Sequence, residues 1–247
     1  MINLYKANMQ RIFKNILFIG GLIIAFVATY AFTANILHMT GRFEKMGYDG
    51  RMFFISIAMM GFFTIFVPVF THIEYSDGVI RNKIIAGYSQ KEVYFSHMLS
   101  HFSALGIMIV CHMIAGFIGG VNISGQLLLR YLILFLALCG YISVLLIMAM
   151  RIKRMVLLAV LTFLVLQICY TGIMIGNALL AFAFKGTQRY IASLIYNIVA
   201  FGQWLSRTGI ADDYTNPGAL AQILISLAVI LISALIGTLG LGKRDLQ

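Results

Sequence analysis

Six long apolar blocks dominate the chain, at residues 16–37, 52–73, 97–121, 127–150, 155–182 and 219–241. Each meets or exceeds the roughly 20 residues that carry a helix across about 30 Å of hydrocarbon. None contains Asp or Glu. On an insertion scale where Leu, Ile, Phe and Val each contribute about −0.3 to −0.6 kcal/mol, every block partitions into a bilayer by several kcal/mol. The expected fold is therefore an all-α integral membrane protein with six transmembrane helices in a single domain, 1–247. Only 11% of the residues are charged and 61% are hydrophobic, whereas a soluble domain carries about 25% charged residues.

The formal charge of +10 does not point to nucleic acid, because the 18 Lys and Arg lie in short clusters between apolar blocks. With the amino terminus inside and alternating spans, 11 fall in the inner segments, among them Lys6, Arg11, Arg81, Arg151, Lys243 and Arg244. Seven fall in the longer outer segments, including Arg42, Lys45, Arg130, Arg189 and Arg207. The positive-inside rule then places both termini in the cytoplasm of a multi-pass plasma-membrane protein. Cys111, Cys139 and Cys169 lie singly in apolar blocks and read as small packing residues.

Outside the spans, residues 1–14 set Ile2, Tyr5, Met9, Ile12 and Phe13 at helical spacing, with Lys6, Asn8, Gln10, Arg11 and Lys14 on other faces, the pattern of an interfacial helix. A signal peptide is the competing reading, but the following block is longer than an h-region. Residues 183–218 form an extracellular segment. Its run from Tyr190 to Leu205 is too short between Arg189 and Arg207 for a crossing, and suits a re-entrant or interfacial helical segment with Trp204 near the headgroups.

Residues 74–96 form a cytoplasmic loop with two helix starts. Asp77 is placed to cap a short helix that Gly87 ends, and Ser89 with Glu92 three residues on forms a capping box for a second. This elbow reads equally as a surface feature stabilised for its own sake or as a handle for a partner.

Glu74, Gly78, Ile80, Arg81, Asn82, Lys83, Gly87 and Ser89 resemble the E-x-x-x-G-x-I-R-N-K-x-x-x-G-x-S stretch of ABC-2 type transporter permease subunits. The ending GLGKRDLQ, residues 240–247, is also similar. Gly202-Gln203 matches weakly, without the proline of the family's Pro-x-Gly-Gln turn. The resemblance implies a permease of the bacterial peptide, drug or toxin exporter kind. In that case 74–96 is a coupling loop whose helix docks on a separate ABC ATPase through Val79, Ile80, Arg81, Asn82, Lys83, Ile84, Gly87, Ser89, Lys91 and Glu92. No G-x-x-x-x-G-K-[ST] motif occurs, so ATP and Mg belong to that partner and this chain carries no cofactor or enzyme activity of its own. Six helices enclose a pathway poorly, so a second permease chain, identical or homologous, is implied beside the membrane lipid. Absence of intramembrane carboxylates disfavours proton-driven transport.

His112, in the middle of the third block, reads as a hydrogen-bonded structural residue. His97 and His101 share a helical face, with His72 and Glu74 nearby, which supplies the alternative: an intramembrane metal-dependent enzyme. A third reading is a membrane anchor or immunity-type protein without transport. The spans offer few polar side chains, chiefly Gln167, Asn177 and Gln222. Substrate-binding residues are therefore not assigned, and the expected cargo is hydrophobic or amphipathic.

Overall fold

The computed structural model describes residues 1–34, 36, 46–208, 211 and 213–239. Arg42, Lys45, Lys243, Arg244 and the 240–247 ending fall outside these residues. The described residues are helical, in the order α1 (Ile2–Lys14), α2 (Ile16–Thr33), α3 (Tyr48–Ile55), α4 (Ala58–Ser76), α5 (Val79–Ile85), α6 (Gln90–Ile118), α7 (Gly125–Arg151), α8 (Met155–Phe182), α9 (Gly186–Tyr196), α10 (Ala200–Arg207) and α11 (Ala219–Thr238), with a 3-10 turn at Asp213–Thr215.

Six helical stretches among them are long and apolar enough to cross a membrane: α2, α3 with α4, α6, α7, α8 and α11. This is the architecture of a multi-pass membrane protein. α7 forms the centre of the bundle, packed by α11, α4, α6 and α10. Its apolar window is 67% buried, against 17% for α8 and 22% for α2 and α11. With so little of their apolar surface covered by protein, α2, α8 and α11 present hydrocarbon outward, as lipid requires. A ladder of rings along α4, Phe62, Phe63, Phe66 and Phe70, fills the interior and meets Phe18 of α2.

The second span is not one rod. Its helix breaks at Ser56 and Ile57, although neither Pro nor Gly stands there. At the break Ser56 N–H turns to Phe53 O at 3.2 Å, outside the regular ladder, and side chains from distant helices add bonds to the carbonyls there. His112 Nε2 donates to Met52 O at 3.0 Å, with Thr29 Oγ1 2.5 Å from its other ring nitrogen. Trp204 Nε1 donates to Phe53 O at 3.1 Å, and so does Ser56 Oγ at 2.5 Å. His112 is thus the hydrogen-bonded structural residue expected of it, and Trp204 is buried rather than set at a headgroup layer.

The run at 190–205 is two short helices, α9 and α10, joined at 197–199. Neither is long enough to cross. They lie at the end of the bundle remote from α5, where α10 packs on α7 and α8. Gly202 is what permits the fold-back, since a Cβ there would stand 2.2 Å from Tyr196 O.

α1 differs from its sequence pattern. The face turned toward α6 carries Leu4, Asn8 and Ile12, while Ile2 and Phe13 are exposed. A buried asparagine in place of an apolar residue needs polar partners, and the elbow supplies them.

Candidate functional site

The elbow is a helix, a break and a helix, as its signals predict, but with different caps. Asp77 ends α4 instead of opening α5, and Gly78, in the left-handed region at φ 69°, stands at the N-cap of α5. A glycine accepts that conformation without the Cβ penalty that Asp would meet. Gly87, at φ 91°, terminates α5: its N–H donates to Ile84 O and that of Tyr88 to Lys83 O. The capping box is complete. Glu92 N–H donates to Ser89 Oγ at 3.2 Å, and Ser89 N–H to Glu92 Oε2 at 2.9 Å. α6 then continues without interruption to Ile118, so the second half of the elbow and the third span are one rod.

Beneath α5 lies an ionic anchor. Glu74, at the end of α4, is 1% exposed and faces three donors from three other helices. Lys83 Nζ of α5 stands 2.6 Å from Oε2, and His97 Nε2 of α6 stands 3.0 Å from the same oxygen. Arg11 Nη1 of α1 is 3.3 Å from Oε1. Lys83 also donates to Asn8 Oδ1 at 2.7 Å, and Asn8 Nδ2 donates to Ser96 Oγ at 3.3 Å. Burial pushes the Lys83 ammonium below its ordinary value, and the Glu74 carboxylate opposes that shift. One carboxylate therefore ties α5 to α1, α4 and α6, and Asn8 faces inward because it is the second acceptor for Lys83.

This sorts the elbow residues. Ile80 and Lys83 face the bundle; Ile80 is buried and Lys83 is only 9% exposed. Arg81, Asn82, Gly87, Ser89 and Lys91 are exposed, and Val79, Ile84 and Glu92 are half-buried. Ile85, which the resemblance does not single out, is 73% exposed at the tip.

The four residues of the metal reading are only partly brought together. Glu74 and His97 meet, and His101 is buried one turn beyond, its ring edge-on to Phe66 and Phe70. His72 stands two residues from both Phe70 and Glu74, about 200° round the helix from the face they share. Lys83 takes the place beside Glu74 that a cation would need. No group of three or more His, Cys, Asp or Glu is arranged to hold a metal among the described residues.

A second polar cluster occupies the far end. Asn197, Gln203 and Gln222 are at most 1% exposed and bind one another through Ser206 and Ser226. Gln203 Nε2 donates to Asn197 O at 2.7 Å, Gln222 Nε2 to Asn197 Oδ1 at 2.7 Å, and Arg207 Nε to Gln222 Oε1 at 2.7 Å. The weak Gly202-Gln203 signal marked this cluster, but nothing in the sequence linked it to Gln222.

Comparison of the chain with family models, curated proteins and solved structures finds no match.

Proposed function

We propose that this chain is the permease subunit of an ABC-2 type exporter, with α5 as the coupling helix that engages a separate ATPase and a second permease chain completing the pathway. In this reading the protein sits in the cell membrane with the elbow and both termini in the cytoplasm. The observation that carries it is the build of the elbow. A connection between spans needs only a few residues, yet this one is a capped helix clamped by a buried ion cluster to both spans it joins and to α1. A handle of that kind transmits a partner's rigid-body displacement instead of absorbing it. Its outward residues, Arg81, Asn82, Ile85 and Lys91, offer an apolar tip flanked by cations, suited to an acidic-rimmed cleft.

A hydrophobic or amphipathic cargo suits the surface available to it. An open groove of about 460 Å³ between α4, α8 and α10 is lined by Ile57, Met60, Leu166 and Phe201, with Gln167 and Tyr170 the polar members.

The test is co-purification from gentle detergent extracts, followed by ATPase assay in reconstituted vesicles. Arg81→Glu and Ile85→Glu are expected to release an ATP-binding polypeptide and to abolish cargo-stimulated hydrolysis, while membrane insertion is retained. Retention of the same ATPase by both variants, or placement of an Ile85→Cys label on the extracellular side, refutes the assignment.

A further inference from the structure

Arg207 ends α10 at the far end of the bundle, and the buried amides fix how it is held. Gln222 uses its own N–H groups on Asn197 Oδ1 and on Ser206 Oγ at 2.8 Å, which leaves Oε1 to accept from Arg207 Nε. The guanidinium plane is set by that bond. A guanidinium has five N–H donors in a rigid fork, and here the terminal nitrogen Nη2 is shut off from solvent with no hydrogen-bond partner. An unmade bond from a buried charged donor costs more than a typical hydrogen bond gains, so this nitrogen calls for an acceptor.

The surroundings make that acceptor an anion. Arg130, in the second turn of α7, lies within electrostatic reach of Arg207. After burial, which is the larger effect, its positive charge holds Arg207 below its ordinary value. Asp49 pairs with Arg130 at 3.6 Å and is half-exposed, and no carboxylate pairs with Arg207 among the described residues. Of the two guanidinium groups, only Arg130 thus has a carboxylate partner among the described residues. The level is also informative: Arg130 is five residues into α7, about 8 Å below its start.

We infer that Arg207 and Arg130 form a binding site for a phosphate oxyanion at the membrane boundary opposite the elbow, the amide cluster serving as the jig that aims Arg207. Arginine forks match phosphate oxygens two at a time, and the phosphate diester of a phospholipid headgroup resides at this depth. The site stands independently of the exporter reading.

The test is thermal unfolding of the full chain in nonionic detergent, titrated in separate arms with short-chain phosphatidylglycerol, with diacylglycerol of the same tails, and with inorganic phosphate. Phosphatidylglycerol is expected to raise the melting temperature and diacylglycerol to leave it unchanged. Arg207→Gln should weaken the apparent affinity at least about tenfold, Arg130→Gln should weaken it less, and Arg189→Gln should titrate like the wild type. A shift produced by inorganic phosphate alone identifies a free-anion site, and a shift confined to the phospholipid identifies a headgroup site; both support the phosphate chemistry. If Arg207→Gln does not fold, Arg207→Lys and Arg130→Gln decide, since the first keeps the charge but loses the fork. Equal shifts from diacylglycerol and phosphatidylglycerol, no shift from either phosphate source, or variants that titrate like the wild type overturn the site.

Discussion

Replacing Glu74 by Gln is the sharpest perturbation of the ionic anchor, because it keeps the shape and removes the one negative charge. At an effective dielectric of about 20, unit charges separated by the 2.6 Å to Lys83 attract by about 6 kcal/mol, and at the 3.3 Å to Arg11 by about 5 kcal/mol. Arg11 is 36% exposed, so water screens its share to about 1 kcal/mol or less. Desolvation of Glu74 and Lys83 offsets much of the remaining attraction. The loss expected on removing one partner of a buried pair is then about 3–5 kcal/mol. Lys83→Met should cost less, about 1–3 kcal/mol, since Glu74 keeps Arg11 and His97. The double variant should fall short of additivity by about 1–3 kcal/mol.

The assay pairs reversible chemical unfolding in mixed micelles with thiol labelling at Ile80→Cys, in a background where Cys111, Cys139 and Cys169 are replaced. Ile80 is 2% exposed, so labelling reports lifting of α5. A pH arm follows from Lys83. Its folded value lies below its unfolded one, so the unfolded chain binds more protons between the two, and stability rises with pH across that window. Without Glu74 the window widens downward, and the Gln variant should regain part of its loss as the pH rises toward the ordinary lysine value of about 10. A Gln variant within about 0.5 kcal/mol of the wild type, with unchanged labelling at position 80, would show that Glu74 does not anchor the elbow.

Two glycine substitutions separate backbone conformation from space. Gly87→Ala meets nothing within 4 Å but must hold φ 91°, so it should cost about 1–2 kcal/mol and Gly87→Asn less, read as a shift in melting temperature. Gly202→Ala has an ordinary helical backbone but meets Tyr196 O and Ile173 Cδ1, so a loss of about 1–3 kcal/mol is expected, while Gly172→Ala, with open space around it, should be near neutral in the same assay.

The helices were legible wherever one local signal sufficed. The apolar run at 155–182 coincides with α8 residue for residue, and Ser89 with Glu92 located the start of α6, because a capping box is written within four positions. Legibility ended where partners lie far apart in sequence. The break at 56–57 has no Pro or Gly to announce it and depends on His112 and Trp204, which add bonds to the carbonyls there from other helices. Lys83 read as an outward cation from its position in a loop, whereas the buried Glu74, His97 and Asn8 turn it inward. Asn8 itself was assigned to the wrong face of α1, since hydrophobic periodicity cannot register a buried polar partner.

The two polar clusters differ in a way that bears on how motion would cross the bundle. The elbow end is held by charge and the far end by neutral amides, and the second and third spans join them unequally. α6 runs unbroken from the capping box at Ser89 to Ile118, about 43 Å at 1.5 Å per residue, and carries both His97, at the anchor, and His112, at the break. α4 meets the same anchor through Glu74 but starts only after Ile57, and across the break the regular helical ladder gives way to tighter turn bonds such as Ser56 N–H to Phe53 O at 3.2 Å and Met60 N–H to Ile57 O at 2.9 Å. A displacement of α5 thus has a stiff route along α6 to Met52 O and a hinged route along α4. Because the α6 route ends at Met52 O and Trp204 joins the neighbouring Phe53 O to α10, the break is where movement at the elbow would reach the far end. The break is also where the groove lined by Ile57, Gln167 and Phe201 opens, so under the exporter reading proposed above a lever ending there would act on that groove.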